Sequence, residues 1–66
     1  MNPENFGKNL KIVIDFLEIT QAELTEKSGL TQAGISQIIN GEREPSLGSI
    51  CKILNVIPVK FERLVK

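Results

Sequence analysis

Two glutamine amides, Gln32 and Gln37, carry the most specific chemistry in the sequence. Each sets a hydrogen-bond donor beside an acceptor, the pattern that matches adenine N6 and N7 in the major groove. Ala33 offers a methyl group to the C5-methyl of thymine, and Ser36 and Asn40 add neutral polar groups to the same stretch. No charged residue lies between Gln32 and Asn40. Ile35, Ile38 and Ile39 recur there at helical spacing. This predicts a helix over about 32–40 with its isoleucines inward and its polar side chains outward.

Such a helix presents amides usefully only if its neighbours hold it. Thr31 is the expected N-cap and Gly41 the expected stop. Upstream, Thr20 can cap an earlier helix over about 21–28, with Glu23 completing a capping box and Ala22 and Leu24 turned inward. Gly29 stops that helix, because glycine tolerates the left-handed backbone of a helix end. Two helices around a tight glycine turn form a helix-turn-helix unit, whose second helix enters the major groove of DNA. Gly34 costs that second helix about 1 kcal/mol relative to alanine, which predicts a close backbone approach or a tight helix crossing.

The rest of the chain reads as helical support. Asn2 and Pro3 are a cap and first residue for a helix to about Glu18, with Phe6, Leu10, Val13, Ile14 and Leu17 on one face and Ile19 following in the turn. Gly41 to Pro45 is a loop. Ser46 caps a fourth helix that turns Leu47, Ile50, Ile53 and Leu54 inward, and a left-handed Asn55 ends it. Pro58 opens a short fifth helix to about Val65, with Phe61 and Leu64 inward. No strand alternation, repeat or linker is visible. The expectation is an all-α bundle, with residues 1–66 forming a single helix-turn-helix domain.

In this order and spacing the chain resembles the Cro and repressor-type helix-turn-helix family, the lambda repressor-like or XRE family. The matching residues are Thr20-Gln21, Glu23-Leu24, Gly29-Leu30-Thr31-Gln32, Ile35-Ser36, Gly41, Pro45-Ser46-Leu47, Ile50, Ile53-Leu54 and Val56. The likeness runs from about Phe6 to Leu64. It implies a compact five-helix bundle that binds a palindromic operator in double-stranded DNA as a homodimer and controls transcription. Gln32, Ala33, Ser36 and Gln37 then fall at base-reading positions. Gln21, Asn40 and Arg43 fall at phosphate-contacting ones, joined by Thr20 and Thr31 at the two helix N-termini, where free N–H groups suit an anion. Repressor-type domains often pair through their C-terminal end, which here offers Val56, Ile57, Val59 and Val65.

Two departures from the family matter. Many relatives bury an arginine on the first helix against a glutamate late in the third. Ile14 and Ile39 occupy those positions here, and an apolar pair avoids the desolvation of a buried ion pair. We therefore expect Ile14 and Ile39 to touch. The loop after the third helix reads Glu42-Arg43-Glu44, where relatives are basic, and the chain has eight basic and eight acidic residues. With zero net charge, counterion release contributes little to DNA affinity. Lys8, Lys11, Lys27 and Arg43 are the local cations available.

Other functions follow less well. There is no histidine, and the one cysteine, Cys51, has no activating partner and reads as a small core or boundary residue. Glu23 and Glu26 read as a solvated face beside Lys27, so no enzyme, metal site or cofactor is expected. No apolar run approaches the length of a membrane span, no signal peptide is evident, and a cytoplasmic location is expected. The competing function is a protein-interaction module on the same fold, an antitoxin or anti-repressor partner. The zero charge and the contiguous Ile12 and Phe16 on the first helix favour it.

Overall fold

The computed structural model describes residues 2–65. Among them lie five helices and no strand: α1 Pro3–Phe16, α2 Gln21–Ser28, α3 Gln32–Ile39, α4 Leu47–Leu54 and α5 Phe61–Val65. Each of the first four begins at the cap that local sequence supplies. Asn2 Oδ1 accepts the Glu4 N–H at 2.9 Å, and Ser46 Oγ accepts the Ser49 N–H at 3.1 Å. Such caps satisfy N–H groups that have no partner inside the helix.

The helix ends are less obvious. α1 stops at Phe16, two residues before the expected Glu18. There the Ile19 N–H reaches the Ile14 carbonyl at 2.8 Å and the Glu18 N–H reaches Asp15 at 3.1 Å. This paired closure requires a left-handed residue, and Glu18 takes that role with φ 59. α3 closes the same way, Glu42 to Gln37 at 2.9 Å and Gly41 to Ile38 at 3.1 Å, with Gly41 at φ 75. Asn55, expected to be left-handed, is right-handed at φ −72. The chain there winds on, with the N–H groups of Val56 and Ile57 both reaching the Ile53 carbonyl. Pro58 does not open α5. It sits at the centre of a tight turn closed by the Val59 N–H on the Ile57 carbonyl at 3.0 Å, and α5 begins at Phe61.

Every helix sends side chains into one core: Phe6, Leu10, Val13 and Ile14 from α1, Leu24 from α2, Ile35 and Ile38 from α3, Ile50 and Ile53 from α4, and Leu64 from α5. Ile57 joins them at 2% exposure, so it is withdrawn from the surface set on which a pairing interface was expected. Val56, Val59 and Val65 are half-buried against the core. Three residues expected inside, and one expected in the core or at its boundary, face out. Ala22 lies roughly 200° around α2 from Leu24 at ~100° per residue, so the two cannot share a face. Leu47 is 78% exposed on the first turn of α4, and Phe61 is 39% exposed at the start of a helix too short to bury a second side chain beside Leu64. Cys51 is exposed on α4. A tie that spacing does not reveal joins the chain's two ends, where Asn9 Nδ2 donates to the Leu64 carbonyl at 2.9 Å.

Candidate nucleic-acid interface

The site is assembled from two caps and a turn. On α2 the Thr20 hydroxyl accepts the Glu23 N–H at 3.0 Å, and the Glu23 carboxylate accepts the Thr20 N–H at 3.2 Å. Gly29 ends α2 at φ 77, where a Cβ would meet nothing within 4 Å but the backbone would be strained. Ser28 secures the turn. Its hydroxyl donates to the Thr25 carbonyl and accepts the Leu30 N–H, both at 3.3 Å. A buried serine at the end of an amphipathic helix gives no distinctive sequence signal. The Thr31 hydroxyl then caps α3 by accepting the Gly34 N–H at 3.0 Å.

The capped α3 faces two ways. Ile35 and Ile38 are 0% and 3% exposed, and Ile39 is half-buried against the same core. Gln32, Ala33, Gln37 and Asn40 are exposed, and Ser36 is half-buried between the two faces. Thr20, Thr31 and Arg43 are exposed and Gln21 is half-buried. One shallow depression beside α3 brings Thr20, Gln21 and Gln32 together with Lys11, Asp15 and Glu18. A second, on the other side, joins Thr31 and Gly34 to Arg43 and to Ser46 and Ser49 of α4. Thr20, Gln21, Gln32, Thr31 and Arg43 thus line the two depressions, while Ala33, Ser36, Gln37 and Asn40 lie along α3 outside both, Asn40 at its C-terminal end.

Gly34 does not mark a helix crossing. A Cβ on it would meet only the Thr31 hydroxyl, at 2.9 Å. The tight crossing is elsewhere, between α1 and α3 at Gly7, where a Cβ would lie 2.3 Å from the Ile38 carbonyl oxygen.

Electrostatics around the site are mixed. α3 has no charge of its own. Lys11 Nζ is held 2.9 Å from Asp15 Oδ1, so one expected phosphate-binding cation is already neutralised in part. Glu42 and Glu44 flank Arg43 and all three are exposed. Any affinity of this surface for nucleic acid would rest on neutral donors and helix N-termini more than on bulk charge. Among the described residues, no group of three His, Cys, Asp or Glu could hold a metal, and no helix is long and apolar enough to cross a membrane.

A family model described as helix-turn-helix matches residues 17–64. Two bacterial relatives are similar over most of the chain. The uncharacterised HTH-type transcriptional regulator y4dL of Sinorhizobium fredii is 35% identical over 58 residues, which is 88% of this chain and 30% of that protein. The HTH-type transcriptional repressor RghR of Bacillus subtilis is 33% identical over 63 residues, 94% of this chain and 47% of that protein. The chain thus spans less than half the length of either relative. The crystal structure of the restriction-modification controller protein C.AhdI from Aeromonas hydrophila superposes with a TM-score of 0.88 over 94% of both chains, at 24% identity. That likeness is one of fold.

Proposed function

The chain belongs to the helix-turn-helix family, in its Cro/C1 or XRE branch, and from that premise we propose that it is a sequence-specific regulator of transcription that places α3 in the major groove of double-stranded DNA. The observation that carries the reading is the split character of α3. Ile35 and Ile38 are sealed in the core with Ile39 half-buried beside them, and its uncharged face, bearing Gln32, Ala33 and Gln37, is open to solvent. Gln32 and Gln37 pair with adenine edges, Ala33 meets a thymine methyl, and Ser36 reaches the groove from its half-buried position. Thr20, Gln21, Thr31, Asn40 and Arg43 hold the phosphates that set the register.

In this proposal two copies bind a palindromic operator. Two-fold pairing sets their recognition helices about 34 Å apart, one DNA turn. The chain measures 25 × 21 × 18 Å, so two copies side by side span that distance. The pairing surface we assign is Val56, Val59 and Val65, without the buried Ile57. The protein works without catalysis, in the cytoplasm, where the DNA of its bacterial relatives lies. Selection of duplexes from a random pool, followed by titration of the winner against a scrambled duplex, tests the reading. An enriched, palindromic sequence is expected, and a pool that never converges contradicts it.

A protein-interaction role on the same fold is favoured by one observation. Ile12 and Phe16 are 60% and 86% exposed, side by side on α1. No preference for any duplex at low salt would turn the reading in that direction.

A further inference from the structure

We propose that Gly7 is a positioning residue for base recognition: its missing side chain sets where the Gln37–Asn40 end of α3 lies. The proposal rests on the DNA-reading assignment above.

A Cβ built on Gly7 would stand 2.3 Å from the Ile38 carbonyl oxygen, 2.6 Å from that of Ile39 and 3.0 Å from the Ile39 carbonyl carbon. All three are backbone atoms, so no rotamer change relieves the overlap. Close carbon-to-oxygen approaches begin near about 3.3 Å, so alanine here separates α1 from the end of α3 by on the order of 1 Å. Of the two helices, α1 is the better anchored. Phe6 and Leu10, on either side of Gly7, are fully buried, and Asn9 is tied to the Leu64 carbonyl. The end of α3 runs instead into the exposed residues Glu42, Arg43 and Glu44, so α3 is the side that gives.

A second close contact holds the same place. A Cβ on Gly41 would lie 3.1 Å from Glu4 Cγ and 3.2 Å from Glu4 Cα. The first two turns of α1 thus grip the exit of α3 at two glycines. Gln37 and Asn40 project from that exit into solvent. A recognition side chain must be held within about 0.5 Å of its productive geometry. Thr20, Gln21 and Thr31, the residues assigned to phosphate at the N-termini of α2 and α3, lie away from the displaced end and keep their contacts. Displacing this end of α3 therefore removes sequence preference before it removes DNA binding.

The experiment uses the duplex selected by the wild-type chain and a scrambled duplex of equal length. Dissociation constants are measured on both for wild type, Gly7→Ala and Gly48→Ala, with folding checked by circular dichroism. Gly48 is the control, since its Cβ would meet only Ser46 Oγ, at 3.9 Å. Gly7→Ala should fold, keep its scrambled-duplex affinity within about twofold, and lose about tenfold or more of its preference for the selected duplex. Gly48→Ala should keep the full preference. A folded Gly7→Ala with wild-type preference overturns the proposal. If Gly7→Ala does not fold, Gly41→Ala probes the same seam, with Gly29→Ala as the control that carries the same left-handed strain and no contact within 4 Å. A preference lost in Gly41→Ala alone supports the proposal, and equal preference in the two overturns it. A wild-type chain with no preference for any duplex sinks the DNA reading instead. The amide NMR shifts of residues 37–40 in Gly7→Ala then judge the positioning claim alone, and unchanged shifts refute it.

Discussion

The Thr31 hydroxyl accepts the Gly34 N–H at 3.0 Å, and a Cβ on residue 34 would stand 2.9 Å from that same hydroxyl. The cap and the glycine are one device. Thr31→Ala should cost about 1 kcal/mol, the usual value of an N-cap. Gly34→Ala should gain about 1 kcal/mol of helix propensity only where the hydroxyl is gone. In the wild-type background that gain is offset by the crowded cap, leaving stability within about 0.5 kcal/mol of wild type. Urea denaturation of the four proteins measures this. Equal gains in both backgrounds would show that the two residues act independently.

Glu18 holds a left-handed conformation that glycine adopts freely, with φ 59. Glu18→Gly should stabilise the fold by about 0.5–1 kcal/mol, strain relief outweighing the added freedom of the unfolded chain. Thermal unfolding reads the change. A destabilised variant would mean that the Glu18 side chain contributes more than its backbone strain removes.

Ile14 is 1% exposed on α1, and Ile39 packs half-buried on α3, the helix that α1 crosses. Ile14→Arg alone buries an unpaired charge and should cost about 3 kcal/mol or more. Adding Ile39→Glu supplies a partner and should recover about 1 kcal/mol or more of that loss. Simple addition of the two penalties would show that the side chains do not meet.

Glu42 and Glu44 lie exposed on either side of Arg43. In the proposed binding mode they would face phosphate and oppose it. Replacing both with lysine should tighten binding to every duplex alike and steepen its salt dependence, because more counterions are released. Affinity measured across a salt series tests this. An unchanged slope would place the loop away from the backbone.

Much of this architecture is legible because its signals are local. Asn2, Thr20, Thr31 and Ser46 cap helices through bonds to residues two or three positions on. The stripe of Phe6, Leu10, Val13 and Ile14 follows helical periodicity and is buried as periodicity requires. The exposure of Gln32, Ala33, Gln37 and Asn40 follows from the burial of Ile35 and Ile38 on the same helix. What escaped sequence reasoning depends on distant residues or on competing turn geometry. Ile57 is core only because the Pro58 turn folds it back under the bundle. Leu47 has the spacing of a core residue but occupies a first turn that nothing covers. Gly7 reads as an ordinary helix interior until the backbone of α3 is placed against it. Glu18 stands where the pattern calls for glycine, so the left-handed closure of α1 carries no compositional mark.

The central claim is that the outward amides of α3 read bases, and Gln32→Ala tests it most directly. Binding of wild type and variant is titrated on the selected duplex and on single-base variants of it. The account predicts a loss of about 1–3 kcal/mol on the selected duplex, relaxed preference at one position per half-site, and unchanged affinity for scrambled DNA. An equal loss on every duplex, or no loss on any, would contradict it.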